Sequence, residues 1–279
     1  MTLDEGIHFN VPEAEYRANP SISQSLLKEF GNAATPKHFQ AREPKVATAD
    51  MEFGTVAHCA ILTPDKFVES YHLQPLEYPS EVKGKEVLKP WHGGAQWCKD
   101  WKEYHSDRPV MTREQLERIP KIKSSLELLQ PFGAALKHGR TEVAFFKRDG
   151  ETGLMLKCRV DLISEDTEGI TWLFDLKKVQ AGYATPQEFG KSCATYGYDI
   201  QAAAYLEITG ASKFVFVPFD DDSPFEATQF LPDSEMLEVG RQKWRKLLRA
   251  YAACVQSNDW PGYPKGLQFV SLPKWGTSL

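Results

Sequence analysis

The chain reads as an α/β protein with a central mixed β-sheet flanked by helices. Three observations predict this. Residues 154–178 have the pattern of a β-hairpin, strand-like runs lie at 140–147 and 213–218, and helical periodicity dominates 51–62, 198–208 and 232–256.

A length of 279 residues suits one large α/β domain or one domain with an appendage. The hydrophobic fraction of 42% and charged fraction of 25% are those of an ordinary globular protein. No apolar run approaches a membrane span. The N-terminus is acidic and polar, without the basic start or apolar core of a signal peptide, so a cytoplasmic location is expected. The five cysteines, Cys59, Cys98, Cys158, Cys193 and Cys254, are scattered and form no CxxC pair. That argues against a zinc site or disulfide framework and fits a reducing compartment. A net charge of −5 excludes a protein that coats nucleic acid with its whole surface, but not one with a local basic channel.

Residues 1–50 read as irregular with one short helix. In NPSISQSLLKEF, Ser23 is the expected N-cap, and Leu26, Leu27 and Phe30 follow at helical spacing. Ser21, Ser23 and Ser25 are either capping residues or hydroxyls offered to a phosphate at a helix N-terminus. TPKHFQAREP reads as a turn broken by Pro36 and Pro44. Residues 51–62 read as a helix with Phe53, Val56, Ala57, Ala60 and Ile61 inward. Gly54 and His58 share one side of it; His58 is either a structural histidine or a ligand, and Gly54 permits close approach of another backbone.

Residues 63–110 read as a breaker-rich insertion. Its Lys83, Lys85, Lys89 and Trp91 suit either a nucleic-acid-touching loop or a solvated one. A helix is expected over 94–105 with Trp97, Trp101 and Tyr104 packed inward. Thr112 and Gln115 form a capping box for a helix over 111–129 that Pro120 kinks or divides. The run 140–147 is a strand carrying Glu142, which is either beside the hairpin or a strand-end acid in solvent.

In the hairpin, Cys158, Val160 and Leu162 alternate with Lys157, Arg159 and Asp161. After the polar turn at 164–169, Trp172, Phe174 and Leu176 alternate with Asp175 and Lys177. Side chains two apart on a strand lie ~6–7 Å apart on one face. Asp161, Asp175 and Lys177 therefore meet at one sheet edge, where two acids among apolar residues call for a cation or phosphate. Beyond it, 185–210 is largely helical with Gly210 as its stop, and Gln201 and Tyr205 share a face. Strands are expected at 213–218 and 225–231, then a long amphipathic helix over 232–256. Trp244, Leu247, Leu248 and Tyr251 form its apolar stripe. Arg241, Lys243, Arg245, Lys246 and Arg249 form a basic face, either solvated or set against a DNA backbone. The tail is Pro/Gly-rich and reads as extended.

The order Gly54-x3-His58, Glu142, Asp161, Asp175-x-Lys177, Gln201-x3-Tyr205 resembles the RecB-like branch of the PD-(D/E)XK nuclease superfamily. NPSISQSLLKEF, MEFGTVAHCAILTPDKF and YGYDIQAAAYL further resemble the RecE-type exonuclease VIII family of phages and prophages, over most of residues 15–210. The resemblance implies a restriction-endonuclease-like core. It places His58, Asp161, Asp175 and the Leu176 carbonyl on one or two Mg²⁺ or Mn²⁺ ions, two being expected. Lys177 would orient or help deprotonate the attacking water, with Glu142 as a water-contacting acid. Gln201 and Tyr205 would hold the DNA backbone or brace the lysine. By analogy with lambda-type enzymes, Ser23, Ser25 and Arg17 would hold a terminal 5′-phosphate. Lys178 stands where the family often has Thr, and a phosphate contact is the role open to it.

The implied activity is digestion of the 5′ strand of linear duplex DNA, leaving 3′ overhangs for recombination. The implied partners are a homotrimeric ring of this chain and a single-strand annealing protein. The whole chain would be one nuclease domain: a DNA-end region at 1–50, a core at 51–210 with its insertion, and C-terminal elements at 211–279. A structure-specific endonuclease and a non-catalytic DNA-binding scaffold are the alternative readings.

Overall fold

The computed structural model describes residues 3–43 and 49–273. The first elements are β1 (Gly6–His8), α1 (Glu13–Ala18), α2 (Gln24–Asn32), α3 (Pro36–Gln40) and α4 (Ala49–Leu62). After a 3₁₀ turn come β2 (His72–Leu73), β3 (Glu77–Val82), β4 (Lys85–Pro90), α5 (Gln96–Tyr104), β5 (Val110–Met111), α6 (Arg113–Glu127) and α7 (Phe132–His138). The last are β6 (Arg140–Arg148), β7 (Met155–Glu165), β8 (Thr171–Val179), α8 (Pro186–Tyr196), α9 (Tyr198–Thr209), β9 (Lys213–Asp220) and α10 (Ser234–Ser257).

The central sheet runs β1-β6-β7-β8-β9. Neighbours are antiparallel except β8 and β9, which are parallel and joined through α8 and α9. The sheet is therefore mixed, as expected. On one face, Val143, Phe145, Cys158, Val160, Phe214 and Phe216 pack against helices that include α9 and α10. On the other, Leu162, Phe174, Leu176, Val215 and Val217 pack under α4, α6 and α7. The result is a helix–sheet–helix stack with two cores.

Local signals hold where the sequence carries a cap. Ser23 Oγ accepts from the Leu26 amide at 3.2 Å. Thr112 and Gln115 form the expected capping box. Gly210 ends α9 at φ 74°, a left-handed conformation that glycine adopts readily. The hairpin turn is organised by Asp166, whose carboxylate accepts from the Glu168 and Ile170 amides and the Trp172 indole.

Several expectations are corrected. Residues 3–43 hold a strand and three short helices, not one helix. β1 has no alternating run of its own; it forms because β6 offers it an edge. Pro36 opens α3 under a Thr35 cap and does not break a turn; Pro44 lies outside the described residues, as does the tail beyond residue 273. The 63–110 insertion is not a bare loop: β3 and β4 form a hairpin turned at Lys83 and Gly84, both at positive φ. On α5, Cys98 is the buried residue while Tyr104 is 85% exposed, so the Trp97-Trp101-Tyr104 stripe is not core. Those rings instead form a chain of contacts with Trp91 and His105, edge-to-face except for the stacked Trp101–His105 pair.

Pro120 lies inside an unbroken α6. Residues 225–231 make isolated bridges to β9, at Ala227 and Phe230, rather than the expected strand. On the basic face of α10, the side chains of Arg241, Lys243 and Arg249 are half exposed or more, as a solvated face would be, and Arg245 is the more buried member. Arg245 pairs with Asp149 at 2.7 Å and Glu207 at 2.9 Å, Arg249 with Glu151, Lys243 with Asp199, and Arg241 with Glu238.

Candidate active site

The site lies where β7 and β8 part. Their ladder stops at Leu162 opposite Phe174. The Leu176 amide, beyond the end of the β7 ladder, donates instead to Asp161 Oδ2 at 2.8 Å. On the other side of β7, the β6 ladder skips the pair Glu142 and Asp161, and Glu142 takes φ 53°. This break explains why Val160 enters one core and Leu162 the other, against the alternation expected of one strand face.

Asp175 is buried, and α9 delivers Gln201, whose amide donates to Asp175 Oδ1 at 2.5 Å. Lys177 ion-pairs with Asp175 Oδ2, and its ammonium lies 4.8 Å from the Tyr198 ring centroid. Asp175 Oδ2 makes no well-directed hydrogen bond despite its burial. From α4, His58 Nδ1 approaches Asp161 Oδ2 at 3.6 Å. A Cβ added at Gly54 would meet the stem of Lys178 at 3.8 Å, and no backbone atom of another segment within 4 Å, so the close neighbour is a side chain and not the backbone expected. Lys178 itself pairs with Asp221 at 2.9 Å and is not among the residues that line the cleft over the site.

Burial raises Asp175 and Asp161 above the usual carboxylate range; Lys177 pulls both back. Burial also works to lower Lys177, but Asp175, Tyr198 and Asp161 hold it above the ordinary lysine range, so it stays an ammonium. Burial and the Lys177 charge lower His58 to about 4, leaving a neutral imidazole at neutral pH. Burial and the Asp161 charge raise Glu142 to about 7, although the Arg159 guanidinium pairs with it at 2.8 Å and works the other way.

Two carboxylates, a neutral imidazole and a backbone carbonyl are the donors a hard divalent cation takes. The under-bonded Asp175 Oδ2 is the atom such an ion would satisfy. Among the described residues, no three His, Cys, Asp or Glu side chains already close into a metal cage. The Lys177 ammonium stands against Asp175, and the donor chemistry, rather than a preformed cage, fits the ion.

The site floors an open cleft of about 1470 Å³. His58, Asp161, Asp175, Lys177, Gln201 and Tyr205 line it, and so do Ser23, Ser25 and Arg17. Ser23 spends its hydroxyl on the cap, while Ser25 Oγ accepts from the Gln24 amide at 3.0 Å. Sequence reasoning missed Arg159, Lys157, Tyr16 and Glu13, which share the cleft, and Tyr198 under Lys177. Tyr198 was findable: positions 198, 201 and 205 fall on one helix face. Arg159 and Lys157 were findable too, on the strand face of Asp161; Glu13 and Tyr16 gave no local signal.

Glu142 carries a testable consequence. The unfolded carboxyl titrates near 4.5 and the folded one near 7. Between those values the folded state binds more protons, so stability falls as pH rises through that window. Glu142→Gln should be more stable than the parent at pH 8 in EDTA, by ~1–2 kcal/mol after allowance for solvent access. The gap should close as pH falls below about 4.5. Denaturant titrations at the two pH values check this; a gap independent of pH would contradict it.

A family model described as a PDDEXK-like domain of unknown function (DUF3799) matches residues 23–272. A protein from Eubacterium rectale, described as a candidate exonuclease, shares the fold at TM-score 0.53 and 15% identity, over 93% of this chain and 97% of its own. A phage-related exonuclease from Haemophilus somnus aligns at TM-score 0.32 and 12% identity, over 59% of this chain and 85% of its own. An alkaline exonuclease from Laribacter hongkongensis aligns at 0.29 and 13%, over 59% and 86%. No curated protein matches. With the family model spanning most of its length and the Asp161, Asp175, Lys177 constellation at the fork of its sheet, the chain belongs to the PDDEXK-like DUF3799 family and has its nuclease fold.

Proposed function

We propose that this chain is a divalent-metal-dependent exodeoxyribonuclease that digests the 5′ strand of linear duplex DNA and leaves 3′ overhangs. The observation that carries the reading is the set His58, Asp161, Asp175 and Lys177 in an open cleft of about 1470 Å³. The exonuclease description of the Eubacterium rectale neighbour agrees with it. The 5′ polarity, the homotrimeric ring, the annealing partner, the role in recombination and the reading of the chain as one nuclease domain come from the RecE-type resemblance. No described helix is long and apolar enough to cross a membrane.

His58, Asp161, Asp175 and the Leu176 carbonyl would hold Mg²⁺ or Mn²⁺. When bound, the ion supplies charge to the attacking and leaving oxygens of an in-line displacement. Lys177, an ammonium here, faces the scissile phosphate and offsets its charge as the water oxygen bonds to phosphorus and the leaving oxygen departs. Glu142, with a proton affinity near neutrality, is better matched than Lys177 to take the water proton. Gln201 fixes the Asp175 carboxylate, and Tyr198 fixes the lysine. Tyr205 lines the cleft beside them, and there it would meet the DNA backbone.

The test is linear duplex labelled separately at each 5′ and 3′ end, with Mg²⁺ or EDTA. Stepwise Mg²⁺-dependent loss of the 5′ label, with the 3′-ended strand persisting, is the expected result. Internal cuts, or cleavage of closed circular duplex, would point to an endonuclease. Binding without cleavage under any divalent ion would leave a DNA-binding scaffold. Ser25→Ala should reduce the preference for 5′-phosphate over 5′-hydroxyl ends by about tenfold, the weight of one charge-assisted hydrogen bond. Equal digestion of both ends by parent and variant would remove the phosphate pocket.

A further inference from the structure

Arg159 and Arg17 converge on one carboxylate. Glu13 gives one oxygen to the Arg17 guanidinium and the other to that of Arg159. A phosphodiester presents its two non-bridging oxygens in the same way, and guanidinium pairs are the usual partners of both groups. All three residues line the cleft, and Arg159 stands two positions before Asp161 on β7. That offset is ~6–7 Å along a strand, comparable with the step between neighbouring phosphates of a nucleic-acid strand.

The rest of the surroundings suits an exchange of ligand at Arg159. Its other edge stays anchored on Glu142 at 2.8 Å, and its guanidinium lies 4.9 Å from the Tyr16 ring centroid. Lys157 donates at 2.7 Å to both the Tyr16 and Asn19 carbonyls, which fixes the end of α1 without touching Glu13. α1 itself buries none of its residues, and the Glu13 side chain is 46% exposed. Glu13 is therefore held by its two arginines and little else, and it has water to move into.

We propose that Arg159, with Arg17, binds a phosphodiester of the substrate strand next to the scissile one, and that Glu13 occupies this subsite until DNA displaces it. The inference rests on the nuclease reading above. It makes Glu13 an internal competitor for the substrate, and Arg159 a positioning residue that sets the strand against Asp161. DNA affinity then carries the penalty of expelling Glu13, as for any ligand whose binding-competent state is a minor one.

The test measures binding of a short linear duplex to the full chain by fluorescence anisotropy in EDTA, across a salt series, with parallel Mg²⁺ cleavage assays. Glu13→Gln should tighten binding by about tenfold at low salt, because the neutral amide competes poorly for two guanidiniums. Glu15→Gln, the same charge change on the same helix, should alter it less than about twofold. Arg159→Ala should weaken binding and reduce the slope of log K against log salt by about 1. In the double variant, Glu13→Gln should lose its tightening effect, since the site it vacates is gone. If Arg159→Ala does not fold, Arg159→Lys replaces it, and the Glu13→Gln result alone still decides. Unchanged or weaker binding by Glu13→Gln, or tightening equalled by Glu15→Gln, overturns the inference. Absence of cleavage by the parent in Mg²⁺ overturns the nuclease reading instead, so the two failures are distinct.

Discussion

Lys177→Ala should abolish cleavage while leaving duplex binding within severalfold of the parent. The expected loss in single-turnover rate is about 10³-fold or more, the range seen when one pre-positioned charge is removed from a transition state. Lys177 pairs with Asp175, faces Asp161 and lies over Tyr198, so three groups fix its ammonium before substrate arrives. Its deletion removes the charge meant for the phosphate and leaves two carboxylates facing each other in a buried setting. Binding should survive because Arg159, Arg17 and the α2 N-terminus line the cleft independently of Lys177. Single-turnover digestion with Mg²⁺ and anisotropy in EDTA check the two halves. Cleavage near the parental rate would remove Lys177 from the mechanism. Loss of binding together with cleavage would make it a structural residue of the cleft.

Gly240→Ala should destabilise the protein by ~2–3 kcal/mol, even though alanine is the better helix former by ~1 kcal/mol. Gly240 is buried in α10 where that helix crosses α9. An added Cβ would lie 2.1 Å from the Asp199 carbonyl oxygen and 3.3 Å from Ala203 Cβ. The carbonyl is backbone, so the two helices must separate. The same displacement would shift Gln201 relative to Asp175, so a several-fold fall in activity should accompany the loss of stability. Gly190→Ala in α8 is the matched control, since nothing lies within 4 Å of a Cβ there. It should gain ~0.5–1 kcal/mol. Thermal melts should place Gly240→Ala ~4–10 °C below the parent. A melting point at or above the parent's would mean that α9 and α10 do not meet backbone to side chain at this position.

Local chemistry already stood in the sequence. Alternation made β8 a strand and put Asp175 and Lys177 on one face, because side-chain direction along a strand depends only on parity. Ser23, Thr112 and Gly210 marked helix ends, because caps satisfy orphan groups within one turn. The periodicity of 51–62 and 232–256 gave the buried faces of α4 and α10, since burial of an apolar stripe needs only that some partner exists. The ordered motifs from His58 to Tyr205 gave the site its members.

What those members touch was decided elsewhere. The basic face of α10 looked available until Arg245 met Asp149, 96 residues earlier, with Glu207 on its other side. β1 is three residues long and exists only as the partner of β6. The parting of β7 from β8, which turns Asp161 onto the Leu176 amide, reverses the faces that simple alternation predicts. Arg159 reaches Glu13 on α1, more than a hundred residues upstream, across the mouth of the cleft. Each of these depends on where distant charges and free backbone groups come to rest. A local pattern sets which way a side chain points, and only packing supplies the group it points at.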